Sequence, residues 1–251
     1  MADTVRPSGK HPAPEALGTS GNPHASGSPG ASETGDAPEV PGVSELKQDL
    51  RREAYGQRRA HITGWRAAIR PSDVLRLENR LRRGSETQGA GTVAAFEPIR
   101  REPDMGPLIS WFESRGGRVL VPAMDIAQAP DVESMTVASG RRLSIGWRLH
   151  DDTPPEQRPI VTVSQPLAQA DLLFIPALAV DRAGTRLGRG AGWYDRALTR
   201  RNPEAWRIAV IWPWELRDTP LPSQAHDVPM DIVLTCKGIV PISNRAKNAL
   251  D

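Results

Sequence analysis

An apolar run that passes through a glycine-rich stretch into a helical pattern restricts this chain's fold more than any other feature. Leu172-Leu173-Phe174-Ile175 shows no polar alternation, so it suits a buried strand, and Pro176 stops it. Downstream, Gly188, Gly190 and Gly192 stand at alternate positions, and Tyr194-Asp195-Arg196-Ala197-Leu198 reads as the first turns of a helix. A strand, a glycine-rich turn and a helix in that order form one unit of an α/β layer. Glycines let the backbone turn its N–H groups towards an anion, and the helix start adds unpaired donors. Arg186, Arg189 and Arg196 supply fixed positive charge suited to bidentate phosphate contacts.

Spacing narrows the kind of phosphate site. A dinucleotide fingerprint would need glycine at position 193, which is Trp193, and a P-loop would need Gly-Lys-Ser/Thr, which is absent. A lone glycine trio is ordinarily just a tight turn. Three arginines, two aromatics and Asp195 within residues 186–196 favour a ligand.

Elsewhere the chain reads as one α/β domain with a tail. Its 251 residues, 38% hydrophobic, suffice for a domain of ordinary size with some excess. Residues 1–42 hold seven glycines and seven prolines and almost no large apolar side chains, so they cannot offset the entropy of ordering and are expected to be disordered. They contain neither the apolar core of a secretory signal nor the acid-free composition of a transit peptide, and no run approaches a membrane span. One cysteine, Cys236, excludes an intrachain disulfide and a cysteine metal cluster and suits a reducing compartment. A net charge of +2 from 32 basic and 30 acidic residues gives little support to nucleic-acid binding. The expectation is a cytoplasmic monomer acting on small molecules, without nucleic-acid or membrane partners.

The folded part is expected from residue 43 to 251. Ser44 reads as the N-cap of a helix running to about Ile69, with Leu46, Leu50 and Ala54 on one face and Lys47, Arg51 and Arg58 on a neighbouring one. A second helix is expected over Ser72–Arg83, a strand over Thr92–Phe96, a helix over Asp104–Arg115 closed by Gly116-Gly117, and a strand over Arg118–Pro122. Strand, helix and strand at these lengths imply a βαβ unit and a mostly parallel sheet. Short strands are expected near Met135–Ala138 and Leu143–Trp147, a polar loop over Asp151–Pro159, a strand over Trp206–Trp212, and a last strand ending at Thr235. The residues support no Ser-His-Asp set, catalytic cysteine or glycosidase carboxylate pair.

Asp171-Leu-Leu-Phe-Ile-Pro-Ala-Leu-Ala-Val-Asp181, the turn to Gly184 and Arg186-Leu-Gly-Arg-Gly-Ala-Gly-Trp-Tyr-Asp-Arg196 closely resemble the signature of the 5-formyltetrahydrofolate cyclo-ligase family, also called methenyltetrahydrofolate synthetase. The resemblance extends over roughly Ser44 to Val240. It implies a single three-layer, Rossmann-like α/β domain with a mostly parallel sheet. It also implies ATP- and magnesium-dependent cyclisation of 5-formyltetrahydrofolate to 5,10-methenyltetrahydrofolate with release of ADP and phosphate.

Residue by residue, the resemblance assigns ATP binding to Lys47, Arg51, Arg186, Leu187, Gly188, Arg189, Gly190, Ala191, Gly192, Trp193 and Tyr194. Folate binding falls to Glu102, Arg189, Gly190, Gly192 and Trp193, the carboxylate of Glu102 suiting the N–H fork of a pterin. Arg189 and Tyr194 take catalytic roles, and Asp195 and Asp227 hold magnesium, which prefers a few hard carboxylate oxygens completed by water and substrate phosphate. Family members usually carry Tyr where this chain has Trp193, a change that keeps an aromatic face and removes a hydroxyl. That change raises the alternative of a non-catalytic paralogue binding folate or nucleotide as a regulator. An unrelated phosphate-binding module is the other rival. Met135, Trp147 and Trp111 are candidates for the folate pocket, though each reads first as core, and His226 reads as a packed or capping histidine.

Overall fold

Alternation inside one strand sets the layers. In the computed structural model Ala170–Pro176 form a strand in which Leu172 and Phe174 enter one apolar cluster while Leu173 and Ile175 enter another. A strand buried on both faces requires cover on both, which makes the arrangement three-layered. The structure describes residues 42–61, 69, 71, 72, 74, 75, 91–99, 101–124, 133–136, 142–150 and 166–251. The expected disordered tail, most of the second helix and the polar loop at 151–159 lie outside these residues.

The main sheet contains β1 (Thr92–Ala94), β2 (Arg118–Met124), β3 (Glu133–Thr136), β4 (Arg142–Leu149), β5 (Ala170–Pro176), β8 (Trp206–Val210), β10 (Ile232–Thr235) and β11 (Gly238–Pro241), ordered β11-β10-β8-β5-β1-β2-β4-β3. The five from β10 to β2 are mutually parallel, and β11, β4 and β3 are antiparallel at the edges. The expected mostly parallel sheet is therefore present. Among the five parallel strands chain order runs outward from β5 through β8 to β10 and from β1 to β2, so β1 and β5 flank the point where the direction of winding reverses. Their carboxyl ends diverge there and leave a crevice, the usual ligand position in an open α/β sheet.

One face is covered by α2 (Gly106–Ser114), whose Leu108, Ile109 and Phe112 pack on Val93, Val119 and Phe174, and by Ala246 of α4 (Asn244–Leu250). The other is covered by Trp193, Ala197 and Leu198 of α3 (Trp193–Leu198) on Leu120, Leu173 and Ala209. Gly116, at φ 76°, and Gly117 return their N–H groups to Glu113 and Phe112, the Schellman closure expected from the glycine pair.

Several elements depart from the sequence reading. Helix α1 (Val43–His61) begins one residue before Ser44. Gly42 takes the capping place, its carbonyl accepting from Glu45 and Leu46 while the Glu45 carboxylate accepts from its N–H, and Ser44 is freed to line the cleft described below. Ile69 is not helical. Between β5 and the glycine-rich loop the chain interposes a second sheet, in which β6 (Ala179–Asp181) pairs with β7 (Arg186–Leu187) and β9 (Leu216–Arg217). Asp181 builds its turn, accepting from Ala183 and Thr185 through Oδ1 and from Leu221 through Oδ2. Beyond Thr235 the chain adds β11 and α4, so the strand ending at Thr235 is not the last; the two-residue turn Cys236-Lys237 lacks the Asn-Gly type of hairpin signal. Among the described residues no helix is long and apolar enough to cross a membrane.

Candidate active site

A cleft of about 520 Å³ opens at the carboxyl ends of β1, β2 and β5, where Phe96, Pro122 and Pro176 reach its wall. Pro176 ends β5 and Pro122 lies within β2 opposite Trp147 of β4, and both give the floor apolar surface without a backbone donor. The glycine-rich loop makes one side, α1 another, and the 224–227 turn closes the rim. Lys47, Arg51, Glu102, Arg186, Gly188, Arg189, Gly190, Ala191, Gly192, Trp193, Tyr194, Asp195 and Asp227 all line it. Leu187 does not: its side chain is buried with Leu178, Ala179 and Leu221 beneath the loop.

The loop glycines have a reason beyond anion approach. A Cβ at Gly188 would lie 2.9 Å from Arg186 Nη1, one at Gly190 would lie 3.2 Å from Arg51 Cζ, and one at Gly192 would lie 3.0 Å from Arg196 Nη1. Guanidinium groups fill the space that side chains would take. Arg51 also donates from Nε to the Gly188 carbonyl at 2.9 Å, so it braces the loop from α1. Spacing within a helix could not reveal this contact, because its partner lies 137 residues away.

Each candidate metal carboxylate is ion-paired. Arg186 Nη2 lies 2.5 Å from Asp195 Oδ1, and Lys47 Nζ lies 2.6 Å from Asp227 Oδ2. Asp227 also accepts from the Gln224 N–H at 2.8 Å. Burial would raise the Asp227 carboxyl, but its hydrogen bonds from Lys47 and Gln224 and the charges of Lys47 and His226 outweigh it and hold the group below its ordinary value. His226 is exposed at the rim with Nε2 3.8 Å from Asp227 Oδ1, rather than packed or capping. Among the described residues no cluster of three or more His, Cys, Asp or Glu side chains has metal-ligating geometry.

Glu102 sits deep in the cleft, its side chain 4% exposed and 3.7 Å from Arg189 Nε. Its Oε2 accepts from the Ile99 N–H at 3.0 Å. Burial pushes its carboxyl up, and the Ile99 hydrogen bond and the charges of Arg189 and Arg58 only partly offset this. The preceding residue, Arg101, holds φ 65°, an uncommon left-handed conformation, and its carbonyl accepts from Trp212 Nε1 at 2.8 Å. Burial drives the Tyr194 phenol far above its ordinary range, the Glu102 charge adds to this, and Arg186 and Arg189 pull it back. At neutral pH Tyr194 is a neutral hydrogen-bonding group and not a base.

Trp193, 6% exposed, packs against Trp147 at 5.2 Å between ring centroids and edge-on against Tyr194 at 4.6 Å. Trp147 therefore supports the cleft wall, while Trp111 packs on the opposite face of the sheet. Met135 lies in β3, and its side chain is outside the described residues. Arg58, expected on a basic face, points inwards to Glu215. The sequence reading missed Ser44, Gln48, Glu97 and Gln224 on the cleft wall. Gln48 adjoins Lys47 and Gln224 begins the turn to Asp227, but neither spacing nor residue type distinguishes them from ordinary surface glutamines.

The sequence model of the 5-formyltetrahydrofolate cyclo-ligase family matches residues 43–236. A 5-formyltetrahydrofolate cyclo-ligase of Mycolicibacterium smegmatis is 38% identical over 155 residues, covering 60% of this chain and 77% of that protein. One from Mus musculus is 24% identical over 199 residues, covering 76% and 94%. The solution structure of 5,10-methenyltetrahydrofolate synthetase from Aquifex aeolicus aligns with a TM-score of 0.51 at 22% identity, covering 79% of this chain and 94% of that one, and shows the same fold. The chain belongs to the 5-formyltetrahydrofolate cyclo-ligase family.

Proposed function

We propose that this chain cyclises 5-formyltetrahydrofolate to 5,10-methenyltetrahydrofolate at the expense of ATP. The observation that carries the reading is a single cleft in which one deep carboxylate, Glu102, faces a loop and helix bearing Lys47, Arg51, Arg186 and Arg189. A carboxylate suits the N–H fork of a pterin, and the cations suit a triphosphate. Both substrates are thereby brought to one place, which is most of what phosphoryl transfer asks of a protein.

In this reading the formyl oxygen attacks the γ-phosphorus, ADP leaves, N10 of the folate closes on the activated carbon, and phosphate departs. Arg189 lies between the two substrates and stabilises charge that develops on the transferring group. Tyr194, protonated at working pH, donates a hydrogen bond, and Gly190 and Gly192 bring loop backbone against the ligands. Trp193 offers an aromatic face in place of the family's tyrosine, and its backing by Trp147 keeps that face rigid.

Asp195 and Asp227 fit magnesium. Both line the cleft, and the Arg186 contact with Asp195 is made through Oδ1. Two carboxylates with substrate phosphate satisfy that ion's preference. Held by Asp195 and Asp227, magnesium would supply charge neutralisation on the triphosphate. We place the activity in the cytoplasm, where a single cysteine of partial exposure stays reduced.

The test is to mix the protein with 5-formyltetrahydrofolate, ATP and magnesium and follow the absorbance of the methenyl product. A rise that needs all three is expected. No rise, with folate or ATP still raising the melting temperature, would overturn catalysis in favour of a binding paralogue.

A further inference from the structure

The cations assigned to phosphate and the carboxylates assigned to metal are, in this structure, each other's partners. Lys47 Nζ and Asp227 Oδ2 are 2.6 Å apart and join α1 to the 224–227 turn, with side chains 10% and 12% exposed. Arg186 Nη2 and Asp195 Oδ1 are 2.5 Å apart and join β7 to α3, with side chains 4% and 18% exposed. All four residues line the same cleft. Arg51 differs, since its Nε is held by the Gly188 carbonyl and, among the described residues, no carboxylate neutralises it.

Two sheltered ion pairs of this kind constrain how ligands enter. A triphosphate that reaches Lys47 alone must draw it from Asp227 and leave that carboxylate facing the incoming negative charge. A metal ion that reaches Asp227 alone must displace Lys47 and meet its positive charge. Breaking a sheltered pair while satisfying only one partner leaves the other uncompensated, which is costly. When both ligands arrive, each pair is exchanged for a cation–phosphate pair and a carboxylate–metal pair, and no charge is stranded.

We propose that Lys47–Asp227 and Arg186–Asp195 form an exchange latch that makes magnesium and triphosphate binding mutually dependent. The latch rests on the nucleotide reading given above and adds to it a rule for how the site loads. By linkage the dependence is reciprocal: the factor by which magnesium tightens ATP binding equals that by which ATP tightens magnesium binding. A latch also predicts that removing a metal-binding carboxylate improves binding of the metal-free nucleotide, because its cation is released in advance.

Isothermal titration tests this with ATP in EDTA, magnesium chloride alone, and the two together, on the wild type, Asp227→Asn, Lys47→Met and the double variant. Wild type is expected to bind ATP at least about fivefold more tightly with magnesium than in EDTA. Asp227→Asn is expected to bind ATP in EDTA at least about fivefold more tightly than wild type and to lose most of the gain from magnesium. In the Lys47→Met background, Asp227→Asn should tighten metal-free binding clearly less than it does with Lys47 present, because only repulsion is relieved and no cation remains to be released. Should Asp227→Asn not fold, Asp195→Asn provides the same comparison through Arg186.

Equal wild-type affinities with and without magnesium would overturn the latch and leave the nucleotide reading standing. So would metal-free binding that is unchanged in Asp227→Asn, or that tightens equally with and without Lys47, since repulsion by the carboxylate would then suffice. No nucleotide binding under any condition would overturn the nucleotide reading and the latch together.

Discussion

Arginine occupies the space that glycine leaves, and this exchange defines the site at the scale of single residues. Gly188, Gly190 and Gly192 each have a guanidinium within 3.2 Å of where a Cβ would stand, so the loop is shaped by cations of its own segment and by Arg51 of α1. Asp195 is the residue whose replacement separates chemistry from folding most cleanly. It is partly exposed and hydrogen-bonded through one oxygen, so Asp195→Asn keeps its shape and an acceptor for Arg186 while removing its charge. Turnover is expected to fall by about 10²-fold or more, with the fold kept and the thermal melt lowered as Arg186 loses its counter-charge. Steady-state rates alongside circular dichroism check this, and turnover within about tenfold of wild type would remove Asp195 from the metal site.

At the scale of elements, α1 is held by a buried charge pair as well as by its apolar stripe. Ala54, Leu50 and Tyr55 pack against Leu178, Ala179 and Leu187 of the small sheet. One turn further, Arg58 donates from Nε to Glu215 Oε1 at 2.5 Å and from Nη2 to Glu215 Oε2 at 3.0 Å and to the Ala177 carbonyl at 2.7 Å. Burial pushes the Glu215 carboxyl up, and Arg58, its strongest counter-influence, does not fully offset this. Such a pair adds little net stability relative to apolar side chains, yet it is costly to break from one side. Glu215→Ala is expected to destabilise by about 3–5 kcal/mol, whereas Arg58→Met with Glu215→Leu is expected to lie within about 2 kcal/mol of wild type. Urea unfolding of both variants decides this. Equal losses would mean that the pair contributes through something other than charge. Because α1 carries Lys47 and Arg51 to the cleft, a loosened α1 should also weaken nucleotide binding.

Across the whole molecule, the reversal of winding between β1 and β5 makes the crevice, and a second charge pair fastens the far strands. Arg207 of β8 donates to both oxygens of Asp231, each at 2.8 Å, and the Asp231 carbonyl accepts from Ile242 and Ser243, so β8, β10 and the start of α4 meet at one residue. Burial would raise the Asp231 carboxyl, but the hydrogen bonds and charge of Arg207 outweigh it and hold the group below its ordinary 3.8. A depressed carboxyl contributes stability that is fully present above its unfolded value and lost as pH falls through its folded one. Asp231→Asn is therefore expected to cost about 2–3 kcal/mol at neutral pH, and its deficit relative to wild type should shrink below about pH 4. Melting curves at neutral pH and near pH 3 check the sign; a deficit that grows on acidification would contradict it.

The chain's order of residues by itself determined the local units: a strand at Leu172–Ile175, a glycine-rich loop entering a helix read from Tyr194 and observed from Trp193, a helix closed by Gly116-Gly117, and a mostly parallel sheet. These follow from periodicity, turn chemistry and connection length, which act over a few residues. Lys47, Glu102 and Asp227 could be named through resemblance, but their meeting in one cleft depends on contacts across as many as 180 positions. Only the tertiary structure sent Arg58 inwards while Lys47 and Arg51, on the same helix, faced the cleft, and only it interposed the small sheet between β5 and the loop. It also paired two of the phosphate-seeking cations, Lys47 and Arg186, with the metal-seeking carboxylates Asp227 and Asp195. Helical spacing fixes which residues share a face, but the chain packed against that face decides whether a charge meets solvent, a ligand or a buried partner.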